Sequence, residues 1–249
     1  MRYKILLLTL IMVACSTKDQ EPKKITIYLI GDSTMANKKN PEVNPEHGWG
    51  QVLQQFFNEN AVVENHAVNG RSSKSFIGEG RWDSVLNKLQ PGDYVFIQFG
   101  HNDQKYKSPD RFTNPWSSYR DNLERYVNET RAKGAHPVLL SSIIRRHFNE
   151  WGTLIDTHGP YPWVAREVAK EMDVPFIDLQ IMTERLVDSL GQEASKELFM
   201  FLKPGESEMY PDGRADSTHL TLKGANTVAG LSVKGLKEVN SPLAGYLAE

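Results

Sequence analysis

The sequence is poor in cysteine, with a single one among its 249 residues, at Cys15 near the amino terminus. Because no second cysteine follows, the folded part of the chain cannot form an intramolecular disulfide and must be stabilised by core packing. An excess of basic residues is also missing, since 29 Lys and Arg residues stand against 31 Asp and Glu residues and no basic block occurs. Charge therefore gives no indication of nucleic-acid binding.

The apolar run near the amino terminus, from Ile5 to Val13, is too short to span a membrane as a helix. It follows the basic residues Arg2 and Lys4 and precedes the small residue Ala14. A basic segment, a short apolar segment and a small residue, in this order, are typical of a secretory signal peptide. We therefore predict a signal peptide over residues 1–14 and export across the inner membrane.

The only cysteine lies where a bacterial lipoprotein signal places its acylated residue, in the stretch "IMVACS". We predict lipidation at Cys15 and a lipid-anchored envelope protein, periplasmic or at the cell surface; an ordinary signal peptide with an incidental cysteine is the alternative. Residues 15–24 are polar and predict a tether between the membrane and the folded domain.

The remaining residues, 25–249, predict one α/β domain. Five apolar runs have the character of buried strands and begin at Ile25, Val62, Tyr94, Pro137 and Pro175. Helical patterns lie between or after them and begin at Trp49, Trp116, Pro162 and Leu220. Strands that alternate with helices indicate a parallel sheet covered on both faces, so we predict a three-layer α/β/α sandwich with a central parallel sheet of about five strands.

Polar segments follow four of the predicted strands. They are "GDST" at 31–34, "VNGRSS" at 68–73, "GHND" at 100–103 and "RRHF" at 145–148. In open parallel sheets, ligands bind beyond the carboxyl ends of the strands. We therefore expect these four segments to converge on one rim of the sheet.

Ser33, in the first of these segments, is a candidate nucleophile. A serine hydroxyl is a poor nucleophile unless an oriented base removes its proton. Among the seven histidines, only His219 has a carboxylate at close spacing in a self-contained unit, because Asp216 precedes it in "ADSTHLT". We expect a loop ahead of the last helix to hold both, with Asp216 accepting the Nδ1 proton and Nε2 facing Ser33. The spacing alone leaves open a capping role for Asp216 and a structural role for His219.

Ester chemistry at Ser33 also needs donors for the negative charge that develops on the carbonyl oxygen. Candidates are the backbone N–H of Ser33, the backbone N–H of Gly70, where a side chain would block close approach, and the side-chain amide of Asn102. Glycine and asparagine are common in turns, so a purely structural role for each of the last two stays open.

The segments "GDST", "NG", "GHND" and "DSTH" occur in this order along the chain. The ordered set resembles the SGNH, or GDSL, hydrolase superfamily, and the resemblance covers essentially the whole predicted domain. It implies a flavodoxin-like fold in which Ser33 is the nucleophile, His219 the base and Asp216 its partner. The resemblance further implies that Ser33, Gly70 and Asn102 form the oxyanion hole.

Longer stretches, "IGDSTM", "NHAVNGRSSKSF", "EGRW" and "QFGHND", resemble the rhamnogalacturonan acetylesterase family within that superfamily. This resemblance implies a serine esterase, without metal or cofactor, that removes acetyl groups from pectic polysaccharide or oligosaccharide; we expect a monomer. The alternatives are an esterase for another acylated or methyl-esterified carbohydrate, a lipid or thioester hydrolase, and a non-catalytic carbohydrate-binding lipoprotein.

Motifs of other enzyme classes are missing. No Gly-x-Ser-x-Gly elbow surrounds Ser33, which argues against the α/β-hydrolase fold. The sequence also lacks a phosphate-binding loop with Gly-Lys-Ser/Thr and a His-Glu-x-x-His zinc motif.

Three arginines are candidates for substrate binding. Arg145 and Arg146 follow the fourth predicted strand, and Arg71 is adjacent to Gly70. A uronate polymer carries carboxylates, which arginine binds with two parallel hydrogen bonds. The alternative for each is a solvated or structural charge, and for the adjacent pair we expect at least one side chain to face the cleft or pair with an acid.

Overall fold

The computed structural model describes residues 23–248, and within them eight strands form two sheets. The strands are β1 (Ile25–Gly31), β2 (Glu46–His47), β3 (Ala61–Asn65), β4 (Tyr94–Gln98), β5 (His136–Leu140), β6 (Phe176–Ile177), β7 (Phe199–Leu202) and β8 (Arg214–Thr221). The predicted signal peptide, Cys15 and all but the last two residues of the predicted tether lie outside the described residues.

The larger sheet has the order β3-β1-β4-β5-β6, and all of its pairings are parallel. Side chains of its central strands alternate between two apolar cores: Ile27 and Leu29 point to one, Tyr28 and Ile30 to the other. Such alternation with both faces buried is expected of a parallel sheet between helical layers. The predicted three-layer α/β/α sandwich is thus confirmed.

Six α-helices cover this sheet within residues 23–248. They are α1 (Ser73–Gly78), α2 (Arg81–Leu86), α3 (Arg120–Ala132), α4 (Tyr161–Glu171), α5 (Leu179–Ala194) and α6 (Leu222–Glu238). The first four contribute to one core, and α5 and α6 contribute to the other. None of the described helices has the length and apolar character needed to cross a membrane.

The predicted helix from Trp49 is wrong, because this segment forms two short 3₁₀ turns, Trp49–Gln51 and Leu53–Phe56. The segment packs directly on the backbone that follows β1. A Cβ atom on Gly48 would lie 2.2 Å from the carbonyl oxygen of Ala36, so only glycine permits this approach. Close backbone packing therefore prevails over the helical spacing of the apolar residues.

The segment with Asp216 and His219 is not the loop predicted from the sequence. It lies in β8, the middle strand of the smaller antiparallel sheet β2-β8-β7. The register of β7 against β8 shifts, because Phe199 pairs with Leu220 whereas Met200 pairs with Asp216. A bulge of this kind bends a strand and re-aims its side chains, often beside an active site.

Candidate active site

The turn after β1 is held by a buried carboxylate. Asp32 Oδ1 accepts hydrogen bonds from the backbone N–H and the hydroxyl of Thr34, each at 2.9 Å. Asp32 Oδ2 lies 3.2 Å from Nδ1 of His101, which is also buried. Burial alone would raise the pKa of Asp32, but His101 and the Thr34 donors hold that pKa below its ordinary value. The ionised Asp32 thus fixes the turn and leaves the neighbouring Ser33 half-exposed on its surface.

Ser33, His219 and Asp216 form one hydrogen-bonded line. His219 Nε2 lies 2.9 Å from Ser33 Oγ, and His219 Nδ1 lies 2.8 Å from Asp216 Oδ2. The chain separates Ser33 from His219 by 186 residues, and the contact arises because the turn after β1 faces the bulge in β8. A hydroxyl, an imidazole and a carboxylate in this order can transfer the hydroxyl proton to the imidazole.

Asp216 accepts more hydrogen bonds than the one from the His219 ring. The backbone N–H groups of Thr218 and His219 donate to its Oδ1 at 2.8 and 3.1 Å. Burial by itself would raise the pKa of Asp216, but the donors from His219 and Thr218 hold it far below its ordinary value. The carboxylate therefore stays ionised, and it can stabilise a positive charge on His219.

The predicted oxyanion donors lie beside Ser33. Gly70 has φ +78°, a left-handed conformation that favours glycine. A Cβ atom on Gly70 would meet no protein atom closer than 3.8 Å, so the expectation that a side chain there would block the approach of a substrate oxygen stays a prediction. Asn102 is buried, and its side-chain amide donates one hydrogen to the carbonyl of Arg71 at 3.0 Å, which leaves the second amide hydrogen for another acceptor.

These residues line one cavity of about 390 Å³ at the rim of the parallel sheet. Its wall comprises Ser33, Glu46, Asn69, Gly70, His101, Asn102, Lys105, Arg145, Arg214, Thr218 and His219. The structure therefore brings the segments after β1, β3, β4 and β5 together on one rim. The wall is polar and carries more positive than negative side chains.

Two of the three predicted substrate-binding arginines are engaged elsewhere. Arg146 is 6% exposed, donates to Ser195 Oγ and Gln192 O, and does not line the cavity. Arg71 is absent from the cavity wall as well and pairs with Glu79 at 3.0 Å. The two adjacent arginines in the segment after β5 therefore point to different places, Arg145 to the cavity and Arg146 to Ser195.

Arg145 is the arginine of that pair that lines the cavity. Its guanidinium donates to Thr157 Oγ1 and O at 3.2 and 3.3 Å and to His101 O at 3.2 Å. Burial lowers its pKa from the ordinary value, which for an arginine leaves the group charged. This guanidinium forms no ion pair with a carboxylate of residues 23–248, and Asp32 and Asp156 are the acids near enough to favour its charged form.

Sequence reasoning missed a set of charged residues behind the line. Arg214 Nη2 donates to Asp216 Oδ2 at 2.6 Å, and Arg214 Nη1 lies 3.1 Å from Glu46 Oε2. Glu46 also pairs with the buried Lys38 at 2.9 Å. One signal was available: residues i and i+2 of a strand share a face, so reading residues 214–221 as a strand would have placed Arg214 beside Asp216.

The parallel sandwich and the Ser33–His219–Asp216 line define an SGNH-type hydrolase, with the serine beyond the first strand and the base on a bulged strand. Residues 29–226 match the family model described as the GDSL-like Lipase/Acylhydrolase family, and the chain belongs to this family. The family resemblance inferred from the ordered motifs is confirmed.

The chain is 44% identical to rhamnogalacturonan acetylesterase RhgT of Bacillus subtilis (strain 168) over 90% of this chain and 95% of that protein. It is 37% identical to the probable rhamnogalacturonan acetylesterase YesY of the same organism, over 87% of this chain and 94% of the relative. The solved structure of YxiM from Bacillus subtilis superposes with a TM-score of 0.75 at 26% identity. That alignment covers 90% of this chain and 59% of YxiM, which is a longer protein.

Proposed function

We propose that this protein is a serine esterase that removes acetyl groups from pectic polysaccharide, with rhamnogalacturonan as the substrate. The observation that carries the reaction is the 2.9 Å contact between Ser33 Oγ and His219 Nε2, backed by the 2.8 Å contact to Asp216. The identity of 44% with a rhamnogalacturonan acetylesterase over nearly its whole length supports the substrate.

In the first half of the reaction, His219 Nε2 takes the proton of Ser33 as Oγ bonds to the acetyl carbonyl carbon. The carbonyl oxygen becomes an oxyanion, which the N–H groups of Ser33 and Gly70 and the amide of Asn102 stabilise. When the bond to the sugar oxygen breaks, His219 returns its proton to that oxygen, and a sugar hydroxyl leaves. The acetyl group is now esterified to Ser33.

In the second half, a water molecule replaces the sugar hydroxyl. His219 takes a proton from the water as its oxygen bonds to the acetyl carbon, and the same donors stabilise the second oxyanion. Ser33 Oγ then leaves and recovers its proton from His219. Acetate is released, and the enzyme returns to its starting state without metal or redox chemistry in any step.

The cavity wall supports an acidic carbohydrate over a lipid. Lys105 and Arg145 line it and form no ion pair within residues 23–248, whereas a long acyl chain needs an extended apolar cleft. Galacturonate units of the pectin backbone carry carboxylates, and arginine binds carboxylates in a fork geometry. The guanidinium of Arg145, which forms no ion pair within the described residues, is the group best placed to do so.

The test is acetate release by the purified protein from acetylated rhamnogalacturonan, acetylated homogalacturonan and acetylated xylan. We expect the highest kcat/KM on rhamnogalacturonan and a loss of about 10⁴-fold or more in the Ser33→Ala variant, with an unchanged far-UV spectrum. Faster acetate release from xylan would contradict rhamnogalacturonan as the substrate but would still agree with esterase activity. A Ser33→Ala variant with more than a tenth of the wild-type turnover, a change of only about 1.4 kcal/mol in barrier, would refute the mechanism.

For location, we propose that residues 1–14 direct export and that Cys15 is acylated. The order of basic, apolar and small residues in this segment supports the proposal. Expression in a bacterial host with labelled palmitate should label the wild type and leave a Cys15→Ala variant unlabelled. An equally labelled variant, or an unlabelled wild type in the membrane fraction, would contradict lipidation.

We further propose that the enzyme works as a monomer, because Ser33, His219 and Asp216 are already in hydrogen-bond contact within a single chain. Specific activity should then stay constant across dilution from micromolar to nanomolar protein. A loss of specific activity on dilution that added protein restores would indicate an obligate oligomer.

A further inference from the structure

Lys38 ties three parts of the site together through one ammonium group. Its Nζ donates to the carbonyl oxygen of Ser33 at 2.5 Å, to Asn69 Oδ1 at 2.9 Å and to Glu46 Oε1 at 2.9 Å. A lysine ammonium has three donors, so all three are used. The group thus links the nucleophile turn, the turn before Gly70 and the strand β2.

Glu46 continues this connection towards the base. Its second oxygen, Oε2, lies 3.1 Å from Arg214 Nη1, and Arg214 Nη2 donates to Asp216 Oδ2 at 2.6 Å. The same Asp216 oxygen accepts the ring N–H of His219 at 2.8 Å. Charges of alternating sign therefore run without a gap from the backbone of Ser33 to the partner of His219.

This arrangement is protected from solvent. The side chains of Lys38 and Glu46 are 3% and 10% exposed, and that of Arg214 is 23% exposed. Buried ion pairs are weak contributors to stability, and well-packed apolar residues often replace them without loss. Stability alone therefore gives little reason for four linked charges here, whereas their contacts with Ser33 and Asp216 give a reason based on the reaction.

We propose that Lys38, Glu46 and Arg214, named here the ion-pair chain, are positioning residues that align the nucleophile turn and set how readily His219 takes up a proton. The inference rests on the proposed function and goes beyond it, because none of the three residues reacts with the substrate. Arg214 acts through Asp216, Glu46 acts through Arg214, and Lys38 acts through Ser33 and Asn69.

The sign of the effect follows from charge. Arg214 and His219 donate to the same oxygen of Asp216, so the positive guanidinium lies near the imidazole and opposes the addition of a proton to it. Glu46 offsets that positive charge. Removal of Arg214 should therefore make His219 easier to protonate, and removal of the Glu46 charge should make it harder.

Other charged or titratable groups also face His219 and remain unchanged in the variants below. His101 and Lys105 follow β4, and Arg145 follows β5; all three line the cavity wall. Asp216 lies on β8 and contacts the His219 ring directly. Burial lowers the pKa of His101, although the Asp32 carboxylate opposes this shift, and His101 is the same in every variant. A difference between variants therefore isolates the ion-pair chain.

The experiment measures the pH profile of kcat/KM with a small neutral acetyl ester such as 4-nitrophenyl acetate. For Arg214→Gln we expect the acidic limb to move to higher pH by at least about half a pH unit, even with the screening of bulk water. For Glu46→Gln we expect the limb to move to lower pH. Arg214→Lys, which keeps the charge, should restore most of the wild-type limb position.

Two controls separate this idea from a structural role. Glu171→Gln breaks the exposed pair with Arg120 and should leave the profile unchanged. Melting temperatures should accompany every profile. If Arg214→Gln and Glu46→Gln lower the melting temperature and kcat but leave both acidic limbs in place, or move them in the same direction, the inference is wrong. Retained activity in Ser33→Ala would instead refute the proposed function.

Discussion

Replacement of Arg145 by glutamine should weaken the binding of an acidic pectic substrate and spare a small neutral ester. The guanidinium lines the cavity, and its partners, Thr157 and the His101 carbonyl, are neutral. A carboxylate of the substrate can therefore reach a guanidinium that forms no ion pair within residues 23–248. Since this contact is with a substrate carboxylate and not with the acetyl group that reacts, its loss should raise KM more than it lowers kcat.

The magnitude follows from the type of contact. A hydrogen bond with a charged group contributes about 1.5 to 3 kcal/mol, which corresponds to roughly a ten- to hundredfold increase in KM. Arg145 is partly exposed, so the lower half of that range applies at physiological salt. Added salt should reduce the wild-type preference for the acidic substrate and should have little effect on the Arg145→Gln variant.

Arg146 provides a matched control on the adjacent residue. It is buried against Phe148 and Phe201 and donates to Ser195, away from the cavity. Arg146→Gln should therefore lower the melting temperature and leave KM for the acidic substrate nearly unchanged. Kinetics of both variants on acetylated rhamnogalacturonan and on 4-nitrophenyl acetate decide the matter. Equal losses on the two substrates in Arg145→Gln would refute a role in substrate recognition.

Two further variants test the site and the interior. Asp216→Asn should keep the fold and lose about 10³- to 10⁴-fold in kcat, since an amide favours the wrong tautomer of His219; an unchanged rate at neutral pH would reduce Asp216 to a structural residue. Burial raises the pKa of Asp103 from 3.8 to about 7, so the folded state binds a proton there that the unfolded chain has lost. The free energy of unfolding of the wild type therefore falls as pH rises from about 4 to 7. An asparagine side chain does not ionise, so the melting temperature of Asp103→Asn, relative to that of the wild type, should rise across this window. An advantage independent of pH would show that Asp103 is ionised in the fold.

The sequence pattern was sufficient for the parts of the site that follow the parallel strands. Apolar runs that end at "GDST", "NGRSS" and "GHND" predict strands, and parallel strands bring their carboxyl ends to one rim. The same reasoning located Arg145 on that rim. It did not separate Arg145 from Arg146, because adjacent residues differ only in the direction of the side chain, which the path of the chain beyond the end of β5 at Leu140 determines.

The parts that sequence reasoning missed depend on contacts between residues that are far apart along the chain. Glu46 lies in a strand of two residues, too short to produce a pattern, and it pairs with β8 far along the chain. The strand β8 itself alternates few apolar residues, since "RADSTHLT" is polar at most positions. Its strand character comes from backbone pairing with β7 and β2 rather than from side-chain periodicity, so the grouping of Glu46, Arg214 and Asp216 required the tertiary structure.

The "GHND" segment contacts several of the other segments that form the site. Gly100, at φ +149°, allows the chain to pass Ser142, whose hydroxyl would lie 2.7 Å from a Cβ atom there. His101 donates to the carboxylate that holds the nucleophile turn, and Asn102 presents its amide to the cavity. Asp103 accepts from the first residue of α1 and so binds the turn of Gly70 to the end of β4.

Each residue of this segment therefore contacts a different neighbour: the segment after β5, the turn after β1, the turn after β3 and the helix α1. Four consecutive residues set the relative positions of the nucleophile and two of the predicted oxyanion donors. A substitution at any one of them displaces groups that it does not itself touch. For this reason the effects of mutations within the segment should not add, and a double variant such as His101→Ala with Asp103→Asn should lose less activity than the two single losses combined.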